Sequence, residues 1–561
     1  MFFKILLALF IPTAFVGLVR PDSTTSIGVG GSFRAEDAVY SRVDGLRLQG
    51  TNGGIVVGGL PLTSWQREGA LWKAELAQMG PTDLGGVENR YTLRRQPWEA
   101  ELLVRGRPAT LSRWKNIGWA QTTNDDPSGK KVVLGENPPS VAPTRFLRLA
   151  GYLGQEWSYE TSEASLQGRT VLSKQPHQYG VKPGMRVNLF GAKEFVDQDG
   201  EYSFDPKGRT VYYRGAEPTD AWLTTGNEAM YKFVNSRNIV LKGITFVGGR
   251  GSQILLENCE DVRIENCTFI GAGMSSIRIR GGRDISVLNC KFVDPGTFGI
   301  DAIAGDRATL RSSDIVVQGC EFRRWGRNLR TAVQAIHADA VGMRIIDCVF
   351  SDAYDGAIRI WSNNVTVNDC TFDSVCKEVI DGGAFYIGRD WSVLGTELTN
   401  CTFRNILNRV NTKRGTGLVH AVYLDDQAGG LKAIGNRFEN CEQGVFIGGG
   451  RWNVIEDNEF RKIRDAAVVI DARGTTFAAD KNRKGSGTMW KNLDAVPWRG
   501  PTWQRAYPFL KDFERKSPEL PLENILRNNS VDAGSRFLRM SGEIKSERQI
   551  GLRVLGTAQG N

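Results

Sequence analysis

The chain has 561 residues, with 41% apolar and 24% charged side chains. These values are those of a folded protein and exclude a mainly disordered one, and a chain of this length exceeds one ordinary core unless the fold is a repeat. The 65 glycines against 20 prolines indicate many tight turns, which favours a β-rich repeat. The net charge of +9 is spread among 62 acidic residues without a basic, aromatic-interleaved stripe, so no nucleic acid partner is expected.

The N-terminus carries one positive charge at Lys4 and then a short apolar run from Ile5 to Val19. This outline predicts a secretory signal peptide over residues 1–19, since the run is too short for a comfortable membrane span. Gly17 suits a cleavage site but the bulky Phe15 does not, so an uncleaved N-terminal anchor is an alternative. In either case we expect export to the periplasm or the cell exterior, without other stable membrane insertion.

Phenylalanine recurs along the chain at intervals that define a repeat. The intervals are 23, 23, 30, 28, 22, 31, 35 and 22 residues, which is a base period of 22 or 23 lengthened in some repeats. Such a period is typical of a solenoid, and short Val- and Ile-rich segments broken by Gly, Asn and Asp predict strands. We therefore predict an all-β fold, a parallel β-helix. The column consists of Phe246, Phe269, Phe292, Phe322, Phe350, Phe372, Phe403, Phe438 and Phe460.

Six cysteines precede these phenylalanines by two residues and so occupy one position of the repeat. Adjacent coils lie about 4.8 Å apart, but parallel stacked side chains have unsuitable directions for disulfides. We predict that the thiols are small buried fillers and that Asn436 and Asn458 take the same position further on. The six are Cys267, Cys290, Cys320, Cys348, Cys370 and Cys401.

The period divides the chain into segments. Residues 20–100 contain the first coils, and residues 101–225, where the period is lost, are predicted to be an inserted β-rich module of hairpins of barrel or sandwich type. Two hairpins are expected there, one at residues 101–111 and one at residues 200–213. Residues 226–474 form the β-helix core. Residues 475–561 are expected to form a C-terminal cap over the open end, with a helix at residues 489–493 and one more coil at residues 523–529.

The third position of one aligned strand in each repeat is predicted to face outward, because the second and fourth positions are nearly always apolar. This column mixes charged, amide and aromatic side chains. Aromatic faces cover the apolar side of a sugar ring while charged groups bind its hydroxyls, so the column predicts a glycan groove. An ordinary solvent-facing sheet is the alternative. The column comprises Arg278, Asp301, Gln334, Arg359, Tyr386, Tyr423 and Phe446.

Three aspartates lie at the turns of neighbouring repeats. Asp425 and Asp426 follow one strand, and Asp381 opens the strand of the preceding repeat. Stacked coils place these carboxyl groups at about 5–9 Å, the range that glycosidases use. Mutual repulsion would keep one of them protonated as a general acid while a second acts as base or nucleophile. Turn capping or metal binding is the alternative, since Asp is common in turns.

Other polar residues are expected near these aspartates. His337 is placed just after its strand and His420 just before its own, both close enough to bind sugar hydroxyls, and a structural role is the alternative for either. Weaker candidates for the groove wall, and candidates at the turns after the strands, complete the set. They are Asp301, Asp339 and Asp355 for the wall, and Arg389, Asp390, Trp391 and Arg451 for the turns. No zinc-type spacing, nucleotide loop or serine nucleophile motif is present, so neither a metal nor a cofactor is predicted.

Several motifs resemble those of secreted right-handed parallel β-helix proteins close to glycoside hydrolase family 141. In the core they are Asp381-Gly-Gly-Ala-Phe-Tyr-Ile-Gly-Arg-Asp-Trp391, Tyr423-Leu-Asp-Asp426 and Gly444-Val-Phe-Ile-Gly-Gly-Gly-Arg451. In the module they are Leu111-Ser-Arg-Trp-Lys-Asn-Ile-Gly118, Gly151-Tyr-Leu-Gly-Gln-Glu-Trp157 and Gly200-Glu-Tyr-Ser-Phe-Asp205, and near the C-terminus Trp490-Lys-Asn-Leu-Asp-Ala-Val-Pro497. The resemblance covers nearly the whole mature chain.

The resemblance implies a right-handed β-helix with a catalytic carboxylate pair formed by Asp381 and one member of the Asp425/Asp426 doublet. The group resembled includes fucosidase- and xylanase-type hydrolases. The chain departs from the group's pattern at three places. Ile380 stands where an acidic doublet is often found, Ala150 where a His is expected, and Leu153 where an aromatic residue is expected.

We therefore expect an exported glycoside hydrolase, a monomer, in which Arg389, Tyr423, His420 and Arg451 position a carbohydrate. One alternative is a polysaccharide lyase acting on an anionic glycan, with Arg359, Arg389 or Tyr386 in its chemistry and Ca²⁺ as an optional cofactor. A second alternative is a non-catalytic glycan-binding surface protein.

Overall fold

The computed structural model describes residues 24–27, 32–34, 38–50, 54–76, 99–142, 146–205, 209–410, 419–540, 544, 552–556 and 558–559. Three long sheets run through it, each built almost entirely of parallel strands that pair with the equivalent strand of the next coil. The chain visits the three sheets in turn, as in residues 229–234, 237–242 and 245–248, before it begins the next coil. The protein is thus a right-handed parallel β-helix, which confirms the predicted fold.

We call the three sheets A, B and C. Sheet A comprises Thr24–Ile27, Arg47–Gly50, Arg237–Lys242, Glu260–Glu265, Arg283–Leu288, Ile315–Gln318, Arg344–Ile346, Thr366–Asn368, Glu397–Thr399, Lys432–Ile434, Val454–Glu456, Ile525–Arg527 and Arg553–Leu555. Sheet C comprises Ala38–Ser41, Ala229–Val234, Ser252–Glu257, Ile277–Arg280, Ile300–Ala304, Ile336–Ala340, Ile358–Ile360, Gly382–Gly388, Val419–Asp425, Gln443–Gly448, Val468–Asp471 and Leu538–Met540.

Sheet B carries the phenylalanine column and is extended at one edge by three antiparallel strands. Its parallel strands are Ser32–Arg34, Ile55–Pro61, Thr245–Gly248, Thr268–Ile270, Lys291–Val293, Glu321–Arg323, Val349–Ser351, Thr371–Asp373, Thr402–Arg404, Arg437–Glu439, Glu459–Arg461, Ser530–Val531 and Ala558–Gln559, and the antiparallel ones are Ala221–Thr224, Leu102–Val104 and Arg107–Pro108.

The predicted side-chain columns run through the interior. Rings of successive phenylalanines, from Phe246 to Phe460, stack nearly parallel with centroids 4.4–5.1 Å apart. All nine cysteines are buried and none forms a disulfide. Asn436 and Asn458 continue the cysteine column, and the Nδ2 of Asn436 donates to the Oδ1 of Asn458 at 3.0 Å. Both predictions for this column are confirmed.

Asn and Asp recur just before this column because the chain turns there with a positive φ. Asn266, Asn289, Asp347, Asp369 and Asn400 have φ between 51° and 54°. Their short polar side chains tolerate the left-handed conformation better than those of most residues. Each coil therefore turns sharply from sheet A to sheet B, and the sheets enclose a core narrow enough for Phe and Cys to fill.

The inserted module consists of a five-stranded and a seven-stranded sheet. The five-stranded sheet already uses strands that precede residue 101, so this module begins earlier in the chain than the sequence indicated. Its strands are Thr110–Leu111, Glu201–Asp205, Thr210–Tyr213, Leu71–Glu75 and Trp65–Glu68. Those of the seven-stranded sheet are Arg113–Trp114, Ala120–Gln121, Lys131–Val133, Arg148–Tyr152, Tyr159–Gln167, Thr170–Ser173 and Arg186–Phe190. Both predicted hairpins are present, at Leu102–Val104 with Arg107–Pro108 and at Glu201–Asp205 with Thr210–Tyr213.

After sheet C strand Val468–Asp471 the chain leaves the coils for a helical segment. The predicted helix is present as Thr488–Asp494, and a second α-helix spans Pro501–Ala506. Short 3₁₀ helices span Arg473–Thr475, Ala479–Asn482 and Pro508–Arg515, with a further one at Lys193–Phe195 in the module.

The helical segment covers the side of the β-helix rather than its open end. Trp490, Trp503 and Phe513 pack with Trp391 and Leu394, which belong to a loop between sheets C and A. Coils resume afterwards at residues 525–540. The sequence missed this position because the segment has no repeat that would indicate where it packs.

No helix within the described ranges is long and apolar enough to cross a membrane. The predicted signal peptide or anchor at residues 1–19 lies outside the described residues.

Candidate functional site

The outward face of sheet C holds the predicted column, with one correction to its register. Asp301 pairs with His337, and His337 pairs with Arg359. His337 therefore occupies the place assigned to Gln334, which is buried in the preceding turn at 5% exposure. Two consecutive segments of the sequence share the pattern of a small, an apolar, a polar and an apolar residue. Ile336 and Ala338 are both buried, so the second segment is the one that forms the strand of sheet C. From Arg359 the column continues through Tyr386, Tyr423 and Phe446 as predicted.

Two of the predicted aspartates meet at one tyrosine. The hydroxyl of Tyr423 lies 2.7 Å from Asp381 Oδ1 and 3.0 Å from Asp425 Oδ1. A hydroxyl has a single proton, so it donates to only one carboxylate at a time. The second contact then requires a donor on the other side, which a protonated carboxyl supplies. The geometry thus fits one neutral and one ionised carboxyl joined through Tyr423.

Asp381 is the member of the pair that favours the neutral form. Burial of the surrounding site raises the pKa of Asp381, the negative charge of Asp425 raises it further, and the hydrogen bond from Tyr423 offsets only part of this. Asp381 as a whole residue is nevertheless exposed to solvent, whereas Asp425 is only 7% exposed. We call the space around the Tyr423 hydroxyl, between the exposed Asp381 and the buried Asp425, the recess.

Several hydrogen-bond donors converge on Asp425, the other member of the pair. The hydroxyl of Tyr386 donates to Asp425 Oδ2 at 2.8 Å, and Arg473 Nη1 donates to Asp425 Oδ1 at 2.5 Å. Arg473 is in turn held by Asp471, with Nη2 at 3.0 Å from Asp471 Oδ2. Burial and the charge of Asp425 keep the pKa of Tyr386 well above its usual value, so Tyr386 stays a donor.

Asp426 is neutralised by cations instead of facing the recess. Arg389 Nε and Lys481 Nζ reach its Oδ2 at 2.8 and 2.6 Å, and Asp426 is only 2% exposed. Of the doublet, Asp425 is therefore the residue placed to react, while Asp426 anchors Arg389 and Lys481.

The backbone around the recess is held in sparsely populated conformations. Asp381, Arg389, Asp426 and Gln427 have φ of 61°, 64°, 39° and 66°. Such conformations in non-glycine residues cost free energy and cluster at functional sites, where the surrounding structure enforces them.

His420 lies within its strand, not before it, and is buried at 3% exposure behind Tyr423 and Phe446. Its Nδ1 lies 2.6 Å from Gln443 Oε1. Burial lowers the pKa of His420 to about 3, so the ring is neutral and donates to this amide oxygen. The expectation that His420 binds substrate is corrected: it supports the Tyr423 ring from behind.

His337 also lies within its strand rather than after it, and it remains partly open. Its Nδ1 lies 2.8 Å from Asp301 Oδ1, and Arg280 binds the same carboxylate. Burial would raise the pKa of Asp301, but the hydrogen bond with His337 and the charge of Arg280 lower it on balance. The Asp301 contact fixes the orientation of the imidazole on the outward face of sheet C.

Two predicted residues are engaged away from the recess. Asp355 accepts hydrogen bonds from Val333 N and Gly356 N and stabilises a buried turn. Asp390 is 5% exposed and accepts from the backbone and hydroxyl of Ser392. Asp339 is partly exposed, and burial raises its pKa.

Arg451 is corrected as well. It is 1% exposed, its Nη2 donates to Lys516 O at 2.9 Å, and its guanidinium lies 5.4 Å from the Phe513 ring centroid. It is buried under the helical segment, where burial lowers its pKa to about 10. The predicted substrate contact is therefore wrong.

Sequence reasoning missed Arg473, Lys481 and Phe477. Arg473 follows the next strand of sheet C, so aligning one more turn would have found it. Lys481 and Phe477 lie in the nonrepeating segment and give no such signal. Phe477 is 71% exposed and stands 5.4 Å from the Arg473 guanidinium.

Two of the three departures from the resembled pattern lie in the module core. Ala150 and Leu153 are buried at 1% and 0% exposure, each in an apolar cluster. Within the described ranges no group of three or more His, Cys, Asp or Glu residues could hold a metal ion.

Comparisons with known proteins support the fold. The family model for a right-handed β-helix region matches residues 232–403 and 309–483. A search of curated proteins finds no match. A solved structure described as a glycoside hydrolase aligns with a TM-score of 0.55 at 14% identity, covering 82% of this chain and 92% of its own.

Two further solved structures align less closely. XylC in complex with xylose has a TM-score of 0.38 at 11% identity, covering 94% of this chain and 81% of its own. The catalytic domain of a GH87 alpha-1,3-glucanase in complex with tetrasaccharides has a TM-score of 0.28 at 9% identity, covering 82% of this chain and 90% of its own.

Proposed function

We propose that this chain is an exported glycoside hydrolase related to glycoside hydrolase family 141, with its active site at Asp381 and Asp425. The observation that carries the proposal is the Tyr423 hydroxyl bound to both carboxyl groups. A carboxyl pair of which one member is pushed toward the neutral form is the arrangement that glycosidases use.

In this mechanism Asp381 is the general acid. Burial and the charge of Asp425 raise its pKa and so favour its protonated form, and its exposed position allows it to reach the oxygen of a glycosidic bond. Tyr423 holds it in place and links it to Asp425. After the transfer Asp381 is ionised, and the Tyr423 proton then stabilises its charge.

Asp425 acts on the anomeric carbon, as nucleophile or as the base that activates water. Its hydrogen bonds from Tyr386 and Arg473 occupy both oxygens of the carboxylate and hold it in a fixed orientation. In the nucleophile role, Asp425 forms a glycosyl ester, the protonated leaving group departs, and water then cleaves the ester with Asp381 as base.

The lyase alternative is not supported by the tyrosines. β-Elimination needs a residue that removes a proton, but burial keeps the pKa of both Tyr386 and Tyr423 well above its usual range. Burial opposes the charge of Arg389, yet nearby Tyr386 and the two aspartates raise its pKa on balance, so it is no better base.

The proposal is tested by screening plant, algal and host glycans for released reducing ends, with ultraviolet absorbance as a separate readout for lyase products. On a glycan that is cleaved, Asp381→Asn and Asp425→Asn should each lower kcat by at least about 10³-fold. Asp369→Asn is the matched control, because Asp369 is also a positive-φ aspartate at a turn but lies at the corner between sheets A and B. Unchanged turnover in either active-site variant, with an intact fold, would overturn the assignment.

A further inference from the structure

The outward face of sheet C beside the carboxyl pair holds an arginine that has no anionic partner in the described ranges. Arg359 lies one coil from Tyr386, between the rings of Trp361 and Tyr386, with its Cζ 4.6 and 4.9 Å from their centroids. Within the described ranges no carboxylate pairs with it and no group accepts a hydrogen bond from its buried Nε. Stacked rings hold a guanidinium in place but leave its in-plane donors unused.

The other charges of the site are paired, so Arg359 is not neutralised by them. Arg473 binds Asp425 and Asp471, while Arg389 and Lys481 bind Asp426. Further along the same outward-facing column, Asp301 is already bound by His337 and Arg280.

Arg473, Arg389 and Lys481 are thus each bound by a carboxylate. Arg359 is the cation beside them that no carboxylate in the described ranges binds. A partly buried cation without a counter-ion is costly unless a ligand supplies the negative charge.

We propose that Arg359 is the anion-binding residue of a subsite next to the carboxyl pair, and that the substrate is an acidic glycan bearing a carboxylate or sulfate group. The inference rests on the proposed function only for the position of the cleaved bond. Arg359 and Tyr386 are on neighbouring coils about 4.8 Å apart, a spacing close to one sugar unit. The acidic sugar therefore lies beside the cleaved bond, with its anion on the guanidinium and its ring on Tyr386 or Trp361.

Binding should be measured by calorimetry with the Asp381→Asn protein, which binds without turnover. The probes are an oligogalacturonate fraction, a sulfated galactan oligosaccharide fraction, and their carboxyl-reduced and desulfated counterparts. The two charged fractions distinguish a uronate from a sulfate ester. We expect one of them to bind about 10- to 100-fold more tightly than its neutral counterpart.

Arg359→Gln should remove this preference, and Arg359→Lys should keep part of it because the charge remains. Arg344→Gln is the charge-matched control, since Arg344 is exposed on the outer face of sheet A. A purely packing role for Arg359 would weaken charged and neutral ligands alike.

Two outcomes would overturn the inference: equal affinity for charged and neutral forms, or the same loss in Arg359→Gln and Arg344→Gln. The proposed function fails separately. If a neutral glycan is cleaved and Arg359→Gln leaves its kcat/KM unchanged, the hydrolase stands and the anionic subsite does not. If a charged fraction binds through Arg359 but no glycan is cleaved, the subsite stands and the hydrolase does not.

Discussion

Arg473 binds Asp425 from a turn two coils further along the β-helix, with Nη1 2.5 Å from Oδ1, and this ion pair closes the recess from below. The Arg473 guanidinium also packs on Phe446, with Cζ 4.9 Å from the ring centroid. A nearly buried carboxylate at this position depends on the cation for its charge, so Arg473 is a positioning residue for Asp425.

We expect Arg473→Gln to lower kcat/KM by about 100-fold. Removing the guanidinium takes away the donor to Asp425 Oδ1 and the counter-ion of a nearly buried carboxylate. Arg473→Lys should restore much of kcat/KM because it keeps a positive charge. Equal losses of kcat/KM in Arg473→Gln and Arg473→Lys, with an intact fold by circular dichroism, would show that Arg473 acts through packing alone.

Asp426 should set the alkaline limit of activity. Among the causes that raise the pKa of Asp381 after burial are the charges of Asp425 and Asp426. Asp426→Asn removes one negative charge and frees Arg389 and Lys481, and both changes lower the pKa of Asp381. The general acid then loses its proton at a lower pH, so the alkaline limb of kcat/KM should shift to lower pH. A shift in the opposite direction would contradict the role of Asp381 as acid.

Phe477 is predicted to be a platform for a sugar ring. It is 71% exposed, more than any other aromatic side chain whose exposure the structure describes. An apolar sugar face stacked on it would restore the burial that the free protein lacks. Phe477→Ala should raise KM about 3- to 10-fold with little change in kcat, and Phe477→Tyr should retain the low KM. Ile117→Ala, at a distant residue that is 89% exposed, controls for loss of surface apolar area.

The spacing of the carboxyl pair favours retention of anomeric configuration. One hydroxyl bridges Asp381 and Asp425, whereas inverting enzymes separate their carboxyls by about 6.5–9.5 Å to admit a water. Retaining enzymes bring them to about 5–5.5 Å. Nuclear magnetic resonance of the first product formed from a defined oligosaccharide should show the anomer of the substrate. The opposite anomer would assign Asp425 as the base that activates water.

The sequence predicted the repeating features of the fold and missed the nonrepeating ones. The Phe and Cys columns were predictable because each coil places the same residue at the same point, and so was the meeting of Asp381 with Asp425. Arg451 follows the same kind of turn as Asp425, yet the helical segment packs over it. No periodic signal indicates where that segment lies. Gln334 was misplaced because the lengthened turn before His337 contains a second segment with the same apolar pattern.

Replacing a side chain by alanine should lower the unfolding free energy more at the asparagine end of the cysteine column than at its cysteines. Asn458 accepts a hydrogen bond from Asn436 N at 2.9 Å and donates to Ala433 O at 2.9 Å, all within the buried core. Cys348 fills the same position in an earlier coil, where its thiol lies 3.3–3.6 Å from two backbone carbonyls and makes weak contacts with the thiols of Cys320 and Cys370.

Asn458→Ala leaves buried donors and acceptors unpaired, which costs about 1–3 kcal/mol for each such group, so we expect a loss of about 3 kcal/mol in unfolding free energy. Cys348→Ala removes one small filler and should cost about 1 kcal/mol. Urea unfolding followed by circular dichroism measures both. Equal losses in the two variants would show that the position is filled for its volume alone, since only the asparagine forms strong hydrogen bonds there.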